Sequence, residues 1–119
     1  MTQTLPQPNI ASLKKQISKS IESGDLNSAY CDAKLVLRLI EDEEHRHEAL
    51  ADHLYELGLI CTALDFFPEA SRHLKRAIKL CQERNSEERA FIVKEATDVL
   101  KNIEPEFGYE FASAGLMVS

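Results

Sequence analysis

Apolar residues recur along this chain at helical rather than strand spacing. Leu13, Ile17 and Ile21 follow one another at four-residue intervals, so a helix places all of them on one face. Asn9 stands where a cap belongs, and Gly24 where a left-handed closing residue belongs; together they predict a first helix over about Ile10 to Ser23. Asp25 can cap a second helix through about Asp42, with Leu26, Ala29, Tyr30, Ala33, Val36, Leu37 and Ile40 as its apolar stripe. The acidic run Glu41, Asp42, Glu43, Glu44 suits the start of a third helix, because negative charge is favoured at the N-terminal end of the helix dipole. That helix is expected to reach about Asp65.

Pro68 fits the first turn of a fourth helix, where its missing N–H costs nothing. Ala70, Leu74, Ala77, Ile78 and Cys81 follow on it, to an end near Asn85. Ser86 is expected to cap a fifth helix with Glu87 and Glu88 in its first turn. Phe91, Ile92, Ala96, Val99, Leu100 and Ile103 form its apolar side, and Pro105 ends it. The chain therefore divides into a polar, proline-bearing stretch 1–9 expected to be disordered, a helical domain 10–104, and a tail 105–119. The tail carries Phe107, Tyr109, Phe111, Leu116 and Met117, many apolar residues for a solvated terminus.

Composition narrows the function classes. With 119 residues, 44% of them hydrophobic and 29% charged, the chain fits one globular domain. Only 4 Gly and 4 Pro argue against a turn-rich all-β design. The net charge of −6 repels a phosphate backbone, so nucleic acid is not expected as a partner. Met1 to Asn9 lacks the pattern of a secretory signal, and no apolar run approaches bilayer length, so a cytoplasmic protein with no membrane partner is expected. Cys31, Cys61 and Cys81 are odd in number and widely spaced, which reads as reduced thiols in a core.

The most informative pattern lies in the third and fourth helices: Leu54-x2-Leu57-Gly58-x2-Cys61, then Ala70-x3-Leu74-x2-Ala77. Small residues at this spacing let two antiparallel helices approach closely. Gly58 and Ala70 sit where the hairpin crosses, and Ala77 where the next hairpin leans in. The pattern resembles the tetratricopeptide signature, with Leu54 in place of its Trp, Cys61 in place of its Tyr and Leu74 in place of its Phe. Fainter copies flank it. Leu13, Ala29, Ala33 and Val36 align upstream, and Ala96, Val99, Leu100 and Ile103 downstream, at a period of roughly forty residues. That long period is similar to the repeats of kinesin light chains. The resemblance implies an all-α fold of antiparallel helix hairpins, stacked as about two repeats plus a C-terminal capping helix. Glu88, Lys94, Glu95, Asp98 and Lys101 would form the cap's polar outer side.

The resemblance also implies a function. Such stacks bind a partner peptide or helix on a concave face lined by the first helix of each pair, and they act as adaptors, scaffolds or escorts without catalysis or cofactor. Here the lining would comprise Lys14, Ser18, Ile21, Asp52, Tyr55, Glu56, Leu59 and Thr62. Tyr55 and Leu59, one turn apart, are the first expected contacts. Some members clamp a C-terminal carboxylate with Lys and Asn. Lys14 matches one such Lys, but Ser18 and Glu56 stand at the Asn positions, so acidic chaperone-type C-termini are not expected ligands.

Particular residues bear on other function classes. The apolar tail motivates a structural subunit or a homodimer assembled through it. His73 suggests histidine phosphotransfer, but in His73-Leu74-Lys75-Arg76-Ala77 the Lys is one residue early for the H-x-L-K-G pattern and the Gly is missing. His45, His47 and His53, beside Glu43, Glu44, Glu48 and Asp52, lack the zincin spacing and read as an exposed polar face that holds no metal. Cys61 occupies an apolar repeat position, so burial rather than nucleophilic reactivity is expected.

Overall fold

The computed structural model describes residues 9–42, 47–84 and 87–104. Five α-helices follow one another: α1 (Ile10–Glu22), α2 (Leu26–Glu41), α3 (His47–Ala63), α4 (Phe67–Arg84) and α5 (Ala90–Ile103), with a 3₁₀ turn at Glu87–Arg89 before α5. There is no strand among the described residues. The apolar tail residues Phe107, Tyr109, Phe111, Leu116 and Met117 lie outside them, as do His45 and Ser86.

Side chains cap the first two helices, whereas α5 is capped at Arg89 rather than the expected Ser86 and without a side-chain bond. Asn9 Oδ1 accepts from the Ser12 N–H at 2.8 Å, and Asp25 Oδ1 accepts from the Ser28 N–H at 3.1 Å. Gly24, at φ +82°, closes α1: its own N–H reaches the Ile21 carbonyl, and the Asp25 N–H reaches that of Ser20. The same closure recurs after α3. There Asp65 takes φ +63°, the Asp65 N–H reaches Thr62 and the Phe66 N–H reaches Cys61. Two expected boundaries move. Glu41 ends α2 instead of opening α3, and its carboxylate pairs with Arg76 at 2.6 Å. Glu87 and Glu88 form the 3₁₀ turn, so the α-helical part of α5 begins only at Ala90.

The helices form an all-α stack of antiparallel hairpins. Each packs mainly on its neighbour in sequence, α1 on α2, α3 on α4 and α4 on α5, while α2 meets α3 and α3 also touches α5. No extensive contact joins α1 to α4 or α5, so the described residues form an open stack rather than a closed bundle. The upstream copy of the small-residue pattern is buried at every position: Leu13, Ala29, Ala33 and Val36, like Leu54, Ala70, Leu74 and Ala77. Gly58 is buried against α4, where a Cβ would come within 2.6 Å of Leu74 Cγ and Cδ2 and 3.6 Å of the Ala70 carbonyl oxygen. That closeness is why glycine is needed at this point of α3 while Leu74 stands opposite.

The main core runs from Leu13 and Ile17 through α2 and α3 to Ile92, and Leu74, Ile78, Ala96 and Leu100 extend it under α5. Glu104 ties the end of α5 to α4, accepting from Ser71 Oγ and from Lys75 Nζ at 3.1 Å. No described helix is long and apolar enough to cross a membrane.

Candidate functional site

The central helix α3 buries most of its surface, with Leu50, Ala51, His53, Leu54, Leu57, Ile60 and Cys61 turned inward. Asp52, Tyr55, Glu56 and Leu59 share its remaining face, at the i, i+3, i+4, i+7 spacing of one helix side. Across from them stand Glu88 and Arg89 of the 3₁₀ turn and Phe91 and Ile92 at the start of α5. Together these residues line an open cleft of about 480 Å³, within the size range of ligand clefts.

Its lining mixes apolar and aromatic Tyr55, Leu59, Phe91 and Ile92 with charged Asp52, Glu56, Glu88 and Arg89. Phe91 is 53% exposed and Leu59 36%, so both present hydrocarbon to whatever enters. Tyr55 and Phe91 meet edge to face, with centroids 6.2 Å apart. Polar ties brace the two sides. Arg89 grips Asp52 with Nε at 2.8 Å from Oδ1 and a second nitrogen at 3.0 Å from Oδ2, a planar fork on a carboxylate. Tyr55 Oη donates to Glu95. Burial and that carboxylate push the Tyr55 hydroxyl up to about 12, so it stays a donor at neutral pH.

A second polar cluster lies between α2, α3 and α4. Glu69 accepts from Tyr30 Oη at 2.7 Å on one oxygen, and from Lys34 Nζ at 2.9 Å and His73 Nε2 at 3.1 Å on the other. Burial raises the Glu69 carboxyl, but the bonds from Lys34, Tyr30 and His73 outweigh it and hold the group down at about 2. An ionised carboxylate only accepts, so His73 carries its proton on Nε2. Burial keeps that ring neutral by lowering its pKa, with Glu69 opposing. The Cys61 thiol faces the same point, and burial followed by the Glu69 charge pushes it up to about 12.

The expected lining residues separate into two groups. Asp52, Tyr55, Glu56 and Leu59 gather in the cleft, whereas Lys14, Ser18 and Ile21 on α1 and Thr62 do not line it. Thr62 spends its hydroxyl on the Gly58 carbonyl at 2.8 Å. His53 departs from the expected exposed polar face. It is fully buried, donates from Nε2 to the Ala33 carbonyl at 2.7 Å and leaves Nδ1 without a partner. Cys31 departs in the opposite sense, being exposed while Cys61 and Cys81 are buried. His73 is also buried, so a phosphoryl group on Nε2 would press its charge against Glu69.

The α5 side of the cleft carried one readable signal and one hidden one. Ile92, Ala96 and Leu100 recur every four residues and are buried; Phe91 sits one position off that stripe and is therefore turned outward, not into the core as its apolar character suggested. Arg89 carried no such signal, because its partner Asp52 is remote in sequence. Neither a family model, a curated protein nor a solved structure matches the chain.

Proposed function

We propose that the chain is a tetratricopeptide-like interaction module that captures a peptide or helix of another protein in the cleft between α3 and α5. The observation that carries this reading is the pairing of exposed Leu59 and Phe91, from two separate helices, over one braced concavity. Exposed large apolar side chains grouped in a cleft, rather than scattered, are what a protein-binding surface offers. The first helix of the second hairpin and the capping helix supply the lining. Asp52, Glu56 and Glu88 outnumber Arg89 at the walls, and Arg89 is already engaged by Asp52. The occupant that fits is therefore a segment with a large apolar or aromatic anchor flanked by Lys or Arg.

Panning a displayed peptide library on the full chain tests this. The expected result is enrichment of basic segments with such an anchor, whose affinity drops at least about tenfold on the exposed double substitution Leu59→Ala/Phe91→Ala. Helicity by circular dichroism should stay unchanged. Selected peptides that bind the double variant as well as the wild type would remove the cleft from consideration.

A further inference from the structure

We propose that Cys61, Glu69 and His73 form a binding site for a divalent cation of zinc type, linking α3 to α4 inside the second hairpin. Sγ of Cys61, a carboxylate oxygen of Glu69 and a ring nitrogen of His73 all lie within 4.8 Å of one another. Zinc bonds of about 2.0–2.3 Å in a tetrahedron put donors roughly 3.3–3.8 Å apart, so the triad needs to close by about an ångström. His73 and Glu69 already stand 3.1 Å apart, one turn apart on α4. The mixed sulfur, nitrogen and oxygen donor set suits zinc better than calcium or magnesium, which prefer oxygen alone. A solvent molecule would complete the coordination.

Charge and outer contacts favour the same ion. A doubly charged cation with one thiolate and one carboxylate sums to zero, which is the arrangement least costly to bury. Tyr30 Oη, 2.7 Å from the other Glu69 oxygen, holds the carboxylate in place from α2, as outer partners of metal ligands do. Lys34 is the competing cation, but its side chain is 44% exposed and can turn to solvent when the site fills. On loading, the Cys61 thiol releases its proton to water. The His73 proton shifts from Nε2 to Nδ1, which frees the Nε2 lone pair for the metal. One proton therefore leaves for each ion bound near neutral pH.

Titration of the full reduced chain with Co²⁺, used as a coloured probe for zinc, tests the site. The expected result is one equivalent bound, with a thiolate-to-cobalt charge-transfer band and the d–d absorption of a tetrahedral ion. The Cys31→Ala/Cys81→Ala variant should keep the band. Cys61→Ala should lose it while the helical circular dichroism persists, and His73→Gln and Glu69→Gln should each weaken binding at least about tenfold. Zn²⁺ should raise the melting temperature of the wild type but not of Cys61→Ala. Absence of the charge-transfer band in Cys31→Ala/Cys81→Ala, which retains the whole triad, overturns the proposal even if Cys61→Ala fails to fold. So does a band that survives Cys61→Ala.

Discussion

The two hairpins solve one packing problem with opposite residues. In the first, α1 supplies bulky Ile17 and α2 supplies small Ala33; at the matching positions of the second, α3 supplies Gly58 and α4 supplies Leu74. Knob and hole have changed helices, while the flanking pairs Leu13 with Leu54 and Ala29 with Ala70 keep their type. The turns differ in the same spirit. Gly24 adopts its left-handed conformation without steric cost, whereas Asp65 takes the same conformation with a side chain attached. The fold thus constrains the combined size at a crossing and the handedness at a turn, and leaves the residue that satisfies each free to vary. What distinguishes the second hairpin is chemistry laid over this shared frame: one side of the cleft, and the cluster around Glu69.

The largest expected effects come from the exchanged knob. Leu74→Ala should cost about 2–5 kcal/mol by opening a cavity over Gly58. Gly58→Leu and Gly58→Ile should each cost about 1–3 kcal/mol by overpacking the same spot. Gly58→Ile/Leu74→Ala copies the arrangement of the first hairpin, so it should be more stable than the sum of its parts by at least about 0.5 kcal/mol in urea unfolding. Strict additivity would mean that the two residues do not share the crossing.

Acid should separate the hairpins by way of His53, which α3 presses against the Ala33 carbonyl of α2. Burial lowers its pKa from 6.5, with the Ala33 bond opposing. The unfolded chain therefore takes up a proton, as pH falls below 6.5, that the folded chain refuses. Stability present above that value is lost as pH falls towards the folded pKa, by at most about 1.4 kcal/mol per pH unit for one proton. His53→Gln keeps a donor for Ala33 and should flatten the slope of unfolding free energy as pH falls below 6.5. An unchanged slope would assign the acid sensitivity to other groups.

The turns should give the smallest differences. Gly24 has nothing within 4 Å of where a Cβ would stand, so Gly24→Ala reports backbone conformation alone and should cost about 1–2 kcal/mol. Asp65→Gly should gain somewhat less than about 1 kcal/mol, because Asp tolerates this conformation better than Ala does. Chemical denaturation of the two variants side by side checks both signs; a loss in Asp65→Gly would show that the carboxylate makes a contact worth more than the strain.

Local features of the fold were legible because local rules write them. Asn9, Asp25 and Gly24 announce their caps within a few residues, and the spacing of Gly58, Ala70 and Ala77 announces a close crossing. Half of the expected cleft lining followed from the turn-by-turn alignment of Asp52, Tyr55, Glu56 and Leu59 on α3. The rest depended on contacts between remote segments. Nothing near His53 in sequence reveals that Ala33 waits for its ring, and nothing near Cys61 reveals that α4 carries Glu69 and His73 to it. Phe91 and Cys31 stand outside the core for a simpler reason: helical phase outweighs apolar character.

The fork between Arg89 and Asp52 and the hydroxyl tie from Tyr55 to Glu95 span the cleft before anything enters it. A ligand of the proposed kind would find in such a strutted opening a mould rather than a hinge. Its association should follow simple bimolecular kinetics, and amide exchange in α5 should slow little on complex formation, since the ordering was completed during folding.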